Sequence, residues 1–406
     1  MDTGVRDAAA RDASQVATDT GVDPGGRDAD VAPDAGPGVD AGSEPSAPYA
    51  LDCGPDGVAI ESAGPPNNRI NYVIIGDGYS ADELDTLYIE HIEEAMRKRF
   101  SPIGEPYGRY RKFVNICAIK LASKNSPIGA GPTALGCTGD DESRLARCDS
   151  RATDEALAAR LPDDFEIDWK AVVLNNDRWW NTGSVLMLWS GAHKDAAGAA
   201  LHEGGHGFHQ LADEYAGDNG NCTREYGEVN STADMAKTNG KWDRWLNYTQ
   251  PNATGKQGVF AGSRYCRASQ YRPSQNSMMN SLFGDNPNTS FNSVSREKMV
   301  MDIWRGVTPI DSSSPPAGMV DATVLRVEVI DPDVIDVDWS VDGKLVAAKG
   351  GESFDARSLG AGTHTVSARA YDNAGEELVR YTEGTTFGRM NWARSQQTVT
   401  WTVRTP

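Results

Sequence analysis

Apolar positions follow two rhythms along this 406-residue chain. Ile70 to Ile75 and Phe113 to Leu121 are short, nearly continuous apolar runs, and Ala171 to Leu174 and Ser184 to Trp189 add two more. Runs of this length bounded by turn residues read as strands covered on both faces. Between the first two, Ala81 to Phe100 spaces its apolar residues as an amphipathic helix does, and Asp195 to His202 predicts a second helix with Asp195 as N-cap. The alternation predicts a mixed, twisted sheet of the α/β (α+β) class. Asp311 to Pro316 then reads as a linker, and beyond it the period shortens to two. Thr323 to Val329, Ile335 to Ser340, Thr363 to Tyr371 and Thr398 to Val403 alternate apolar and polar residues, punctuated by Asp342-Gly343 and Gly360-Ala361-Gly362. That pattern predicts a small antiparallel sandwich of immunoglobulin type.

The first 50 residues follow neither rhythm. They consist mostly of Asp, Ala, Gly, Pro, Ser, Thr and Val, with ten acids against three bases, and cannot bury enough apolar surface to offset ordering entropy. The expected organisation is therefore a disordered tether over 1–50, an α/β domain over 51–311 and the sandwich over 317–406. A net charge of −19 disfavours nucleic acid and anionic membrane as partners, and no stretch is long and apolar enough to span a bilayer. A tether of this kind commonly follows a secretory or lipid-anchoring signal. Met1 is followed at once by Asp2, so any such signal or lipid anchor is expected upstream of the given start. Six cysteines point to an oxidising compartment: Cys137 with Cys148 and Cys222 with Cys266 are the preferred local pairs, which leaves Cys53 with Cys117. The expected location is extracellular or at a cell surface or outer envelope. Oligomeric state is not legible.

The chemistry concentrates in His202-Glu203-Gly204-Gly205-His206, followed by Asp213-Glu214-Tyr215. Residues four apart share a helix face. His202 and His206 can therefore offer imidazole nitrogens to one metal while Glu203 sits beside a metal-bound water as general base. Gly198, Gly204, Gly205 and Gly207 each weaken a helix interior by about 1 kcal/mol relative to Ala, which implies that other chain passes close by. The third ligand is open among Asp213, Glu214 and His209, in that order. In a continuing helix Asp213 would lie about 10.5 Å beyond His206, so the chain must leave the helix soon after His206, and Gly207 can take a positive-φ break. His209 would be displaced about 10.5 Å from His202.

The pattern H-E-x-x-H-x-x-x-x-L-x-D-E-Y resembles the bacterial IgA metallopeptidase family, a metzincin-like group of secreted zinc peptidases. The resemblance extends to Arg69–Tyr79, Glu105–Asn115, Val172–Asp177, Lys241–Trp245 and Tyr271–Met279 in the same order, and covers roughly residues 65–305. It implies a metzincin-like domain that binds one Zn2+ per chain through His202, His206 and Asp213, with Glu203 as base and Met279 in a methionine turn beneath the metal. His209 departs from the pattern, where the family has a small residue.

The expected activity is hydrolysis of peptide bonds in extracellular proteins, with a protein or peptide as partner. Tyr215 and Tyr271 are candidate oxyanion donors. The strand before the active helix is a candidate edge for extended substrate. Asp218–Asn221 is weighed as a Ca2+ loop, although its spacing fits no EF-hand. The rival from another class is a catalytically silent surface-binding module on a peptidase fold. Glu203 argues against it, because binding alone needs no carboxylate there.

Overall fold

The computed structural model describes residues 49–218, 220–235, 241–250, 255–281, 290–380 and 392–406. The tether expected over 1–50 lies almost entirely outside them. Four of the apolar runs form parallel strands. β1 (Gly57–Glu61), β2 (Ile70–Asp77), β3 (Val114–Ile119), β6 (Trp169–Leu174) and β7 (Leu186–Ser190) make one sheet in the order β1-β3-β2-β6-β7. β1 runs antiparallel to β3, and the other neighbours are parallel. A short hairpin, β4 (Thr138–Gly139) with β5 (Ala146–Arg147), lies between β3 and β6 in sequence.

Alternate side chains leave opposite faces of a strand, and here they divide the core in two. Tyr72, Ile74, Ala171, Val173, Met187 and Trp189 face one apolar cluster, whereas Val73, Ile75, Val172, Leu174, Leu186 and Leu188 face another. The first cluster includes residues of α1 (Leu87–Arg99), α3 (Ala196–Gly207) and α4 (Ser293–Gly306); the second includes Leu157 of α2 (Ser150–Ala158) and the Cys53–Cys117 disulfide. The helix expected over Ala81–Phe100 begins only at Leu87, because Ala81–Glu83 forms a separate 3-10 turn closed by a Ser80–Glu83 capping box. Asp195 is the N-cap of α3 by position, but its side chain makes no capping bond.

The remaining strands are short pairs, β8 (Thr249–Gln250) with β9 (Gly255–Lys256) and β10 (Phe260–Ser263) with β11 (Cys266–Arg272), followed by two larger sheets. One holds β12 (Ile310–Ser314), β14 (Val324–Val329) and β17 (Ser353–Asp355). The other has the order β13 (Gly318–Asp321), β19 (Gln396–Thr405), β18 (Gly362–Asp372), β15 (Ile335–Val341) and β16 (Lys344–Ala347). Leu325, Val327 and Val329 of the first join Val337, Trp339, Val366 and Trp401 of the second in shared apolar packing.

Two expectations change here. The β13–β19 pair is parallel, so the arrangement is not wholly antiparallel. Asp311–Ser314 is not a linker, because it lies within β12 and pairs with β14. The physical reason is a long-range contact: Asp311 accepts from Arg69 in a two-point ion pair at 2.7 Å on each oxygen and from Asn68, so the segment is fastened to the chain that leads into β2. Buried Asp372 of β18 likewise accepts from Tyr110 (2.6 Å), Trp304 (2.7 Å) and Arg109 (3.1 Å). A buried carboxylate needs such donors, and these come from segments around the first sheet. The described residues accordingly form one compact unit.

Candidate metal centre

The site is built at the C-terminal end of α3, which crosses the first cluster as a strip of small residues with Gly204 and Gly205 buried. The close approach expected around its glycines is present. A side chain at Gly205 would meet Met279 Sδ at 2.6 Å, and one at Gly207 would meet the Ser184 carbonyl at 2.8 Å. The helix ends at Gly207, but the positive-φ residue that turns the chain is Gln210 (φ 53°), not Gly207. Leu211 N–H then bonds back to the Gly205 carbonyl at 2.9 Å, so the chain doubles under the helix end and brings Asp213 back to the histidines.

His202 Nε2, His206 Nε2 and Asp213 Oδ1 lie 3.0–3.1 Å from one another. The other ring nitrogens are committed: His202 Nδ1 donates to the Met278 carbonyl at 2.9 Å and His206 Nδ1 to the Leu211 carbonyl at 2.6 Å. Those bonds fix the tautomer in which both Nε2 lone pairs point at a common position. Tetrahedral bonds of about 2.0–2.1 Å would separate ligand atoms by roughly 3.3 Å, so three of the four corners are nearly in place. Among the described residues this is the one group of three or more metal-ligating side chains.

Without a cation the three groups share protons. Burial opposes charge on His206, but the hydrogen bond and charge of Asp213, with Glu203 behind them, push it up to about 9. Burial would also raise Asp213; its hydrogen bonds from both histidines outweigh that and hold it far below the usual carboxylate range. Glu203 is raised, chiefly by burial, with the two histidines opposing and Asp213 adding to the rise.

The two rival ligands are placed elsewhere. His209 is fully buried on the opposite side of the helix end, with Nδ1 3.1 Å from Asp302 and Nε2 2.7 Å from the Tyr107 hydroxyl. Glu214 is also buried and accepts from Ser277 (2.6 Å), Asn292 (2.8 Å) and Asn230 (2.9 Å), and its N–H bonds the Met279 carbonyl. It ties the ligand segment to the Ser277–Met279 turn. Met279 is buried beneath Gly205.

The residues converge on a cleft of about 400 Å³ lined by His202, Glu203, His206, Asp213 and Tyr215. Tyr271 is not on that lining and its backbone pairs with Thr232, so of the two candidate phenols only Tyr215 faces the cleft. Asp218, weighed as part of a Ca2+ loop against a plain turn, makes an exposed two-point pair with Arg267. β7 is at the sheet edge as expected, but Leu188 already exchanges both backbone bonds with Thr182 (3.0 and 2.9 Å). Substrate could not add there without displacing the protein's own chain.

Residues 58–256 match the family model described as IgA Peptidase M64. This segment belongs to the IgA peptidase M64 family. The matched region takes in the whole α3 ligand segment and stops before Met279. No curated protein matches the chain. A solved structure, catalytically inactive OgpA from Akkermansia muciniphila in complex with an O-glycopeptide (glycodrosocin) substrate, is similar over 85% of this chain and 98% of that chain at 11% identity. Its TM-score of 0.24 is too low to add to the family assignment.

The H-E-x-x-H and D-E-Y positions do not include the rest of the cleft, and the sequence reading missed it. Gly183 lies over the centre, where a side chain would meet His206 Cβ at 2.5 Å and Glu203 Oε2 at 2.7 Å. The far wall holds Arg264, 3.6 Å over the Tyr226 ring and paired with Glu228, beside Tyr265. No periodicity marks these positions. The only local signal was the pair Cys222 and Cys266, which forms a disulfide beside that wall; the other two expected disulfides, Cys137–Cys148 and Cys53–Cys117, are also present. Among the described residues, no helix is long and apolar enough to cross a membrane.

Proposed function

We propose that this protein is a secreted or surface-tethered bacterial zinc endopeptidase that hydrolyses extracellular proteins or peptides, with residues 317–406 as an immunoglobulin-like module packed on the catalytic sheet. The observation that carries this reading is the convergence of His202 Nε2, His206 Nε2 and Asp213 Oδ1 within 3.0–3.1 Å, next to Glu203. Two imidazoles and a carboxylate suit Zn2+, which leaves a fourth position for water. The three disulfides fit an oxidising compartment.

Bound zinc would supply Lewis acidity and lower the pKa of water to about 7. The chain's residues do the rest. His202 and His206 are oriented by the Met278 and Leu211 carbonyls. Glu203 takes a proton from the attacking water and delivers it to the leaving amine as the C–N bond breaks. Gly183 leaves Glu203 room to reach that water.

Replacing Glu203 with Gln keeps the shape of the side chain and removes the base. Glu203→Gln should abolish cleavage of a denatured-protein peptide mixture, read by mass spectrometry, while zinc content stays at one per chain. Equal cleavage by the two proteins at matched zinc would overturn the base assignment. Absence of both zinc and cleavage in the wild type would point to the silent binding module.

A further inference from the structure

Two hairpins in the described chain close through two residues at positive φ. One is Asp342-Gly343 (φ 50° and 77°) between β15 and β16. Such residues tolerate the left-handed region and are favoured in two-residue turns. The other is Arg264-Tyr265 (φ 51° and 60°) between β10 and β11, with Ser263 paired to Cys266. Two L side chains with bulk at Cβ are poor occupants of that conformation, and among the described residues they are the only adjacent non-glycine pair that adopts it.

The surroundings hold this turn firmly. Arg264 N–H bonds the Asp213 carbonyl at 2.9 Å, Tyr265 N–H bonds the Tyr215 carbonyl at 3.2 Å, Gly220 N–H bonds the Tyr265 carbonyl at 3.1 Å, and Cys266 is joined to Cys222. Two of these bonds go to the ligand segment itself, so the turn is fixed relative to the metal centre. Conformations this costly persist where the surroundings over-determine them, and they cluster at active sites.

The turn sets the Tyr265 side chain on the cleft lining, 42% exposed, with its hydroxyl 2.7 Å from that of Tyr215. Tyr215 is less free. Its ring lies nearly parallel to the His202 imidazole at 6.3 Å, and its hydroxyl can donate to that of Tyr265, which leaves the Tyr265 proton for another acceptor.

We propose that Tyr265 is a catalytic residue whose phenol donates a hydrogen bond to the oxyanion that develops on the scissile carbonyl, with Tyr215 as the positioning residue behind it. The proposal rests on the peptidase reading. Water oxygen bonds to the carbonyl carbon, its proton passes to Glu203, and the carbonyl π pair moves onto oxygen. The Tyr265 O–H bonds to that oxygen without transferring its proton. When the pair returns, the C–N bond breaks and Glu203 gives its proton to the amine. A donor aimed at the developing charge is commonly worth about 100–1,000-fold in kcat.

The test compares Tyr265→Phe, Tyr215→Phe and Tyr265→Gly with the wild type. The substrate is the peptide most rapidly cut from the mixture above, and its phosphinic isostere serves as a probe of transition-state binding. Tyr265→Phe should lower kcat about 100-fold with KM within about threefold, and should weaken the phosphinic probe in calorimetry while zinc content and Tm hold. Tyr215→Phe should cost less. Tyr265→Gly, which removes the phenol and relieves the left-handed strain, should abolish the kcat advantage with a Tm no lower than that of the wild type. An unchanged kcat or unchanged probe binding in Tyr265→Phe would overturn the catalytic role, as would a larger loss in Tyr215→Phe. A lower Tm in Tyr265→Gly would overturn the strain argument. Failure of the wild type to bind zinc and cut any peptide would instead overturn the peptidase reading.

Discussion

His206 and His209 lie three residues apart and face opposite environments at the end of the same helix. On the cleft side, His206 shares Asp213 with His202 and is pushed up to about 9. On the core side, burial outweighs the Asp302 carboxylate and depresses His209 to about 4, with the Lys298 and Arg99 charges adding to the fall. Both imidazoles touch an aspartate, at 3.0 and 3.1 Å. The difference lies in what else is near. Asp213 has a second histidine and an open cleft, whereas Asp302 already pairs with Lys298 and stands 3.4 Å from Arg305. One carboxylate can give itself to a metal. The other is committed through Oδ2 to His209 and Lys298 in the core, and that sets His209 apart from the site.

The largest effect that can break this contrast is Asp302→Ala. It leaves His209 and Lys298 buried with one partner fewer, and removing one member of a buried charged group typically costs about 3–5 kcal/mol. Urea unfolding should show a loss of that size with zinc affinity of the folded protein unchanged. A parallel loss of zinc affinity would mean that the two sides of the helix end are not independent.

A smaller effect is expected on acidification. The folded pKa of His209, about 4, lies below its ordinary value near 6.5, so between those values the unfolded chain binds a proton that the native protein refuses. Stability is therefore retained above about pH 6.5 and falls as pH drops through this window, by roughly 3 kcal/mol at most for such a shift. In His209→Gln the corresponding slope of unfolding free energy against pH should be flatter. An identical slope would remove His209 from the account of acid sensitivity.

The smallest effect is Gly205→Ala. The new methyl group would meet Met279 Sδ at 2.6 Å, and because that sulfur is near the end of a flexible side chain, relief should cost about 1–2 kcal/mol. Movement of Met279 disturbs the adjoining Met278 carbonyl that orients His202. Zinc affinity should therefore fall about 10-fold or more, as for other losses of groups supporting a ligand. Unchanged affinity would show that the turn is a packing element alone.

How much of this was legible follows from how each part is encoded. The two histidines and Glu203 sit on a regular helix, where a spacing of four is a geometric statement. Four strands of the first sheet showed as apolar runs because both their faces are covered, whereas the partly exposed edge strand β1 gave no such run. The late strands showed through alternation, and Asp342-Gly343 announced its own turn. Asp213 could be ranked ahead of its rivals because a helix cannot bring it back and a break can, yet the break was misplaced: Gln210, not Gly207, takes the positive φ. The Arg264-Tyr265 turn was invisible because its residues contradict the turn they form, with the conformation imposed by bonds to Asp213 and Tyr215. Asp311–Ser314 misled for a related reason. Its serines and prolines read as a linker, and only the long-range pair with Arg69 fixes it as a strand edge.

The most direct measurement is competition for zinc between the folded protein and a chromophoric chelator, made on the wild type, Asp213→Ala and His209→Ala at one pH. The account predicts one zinc per chain in the wild type, a loss of affinity exceeding about 100-fold in Asp213→Ala, and wild-type affinity in folded His209→Ala. Loss of zinc from the His209 variant with retention by the Asp213 variant would contradict it.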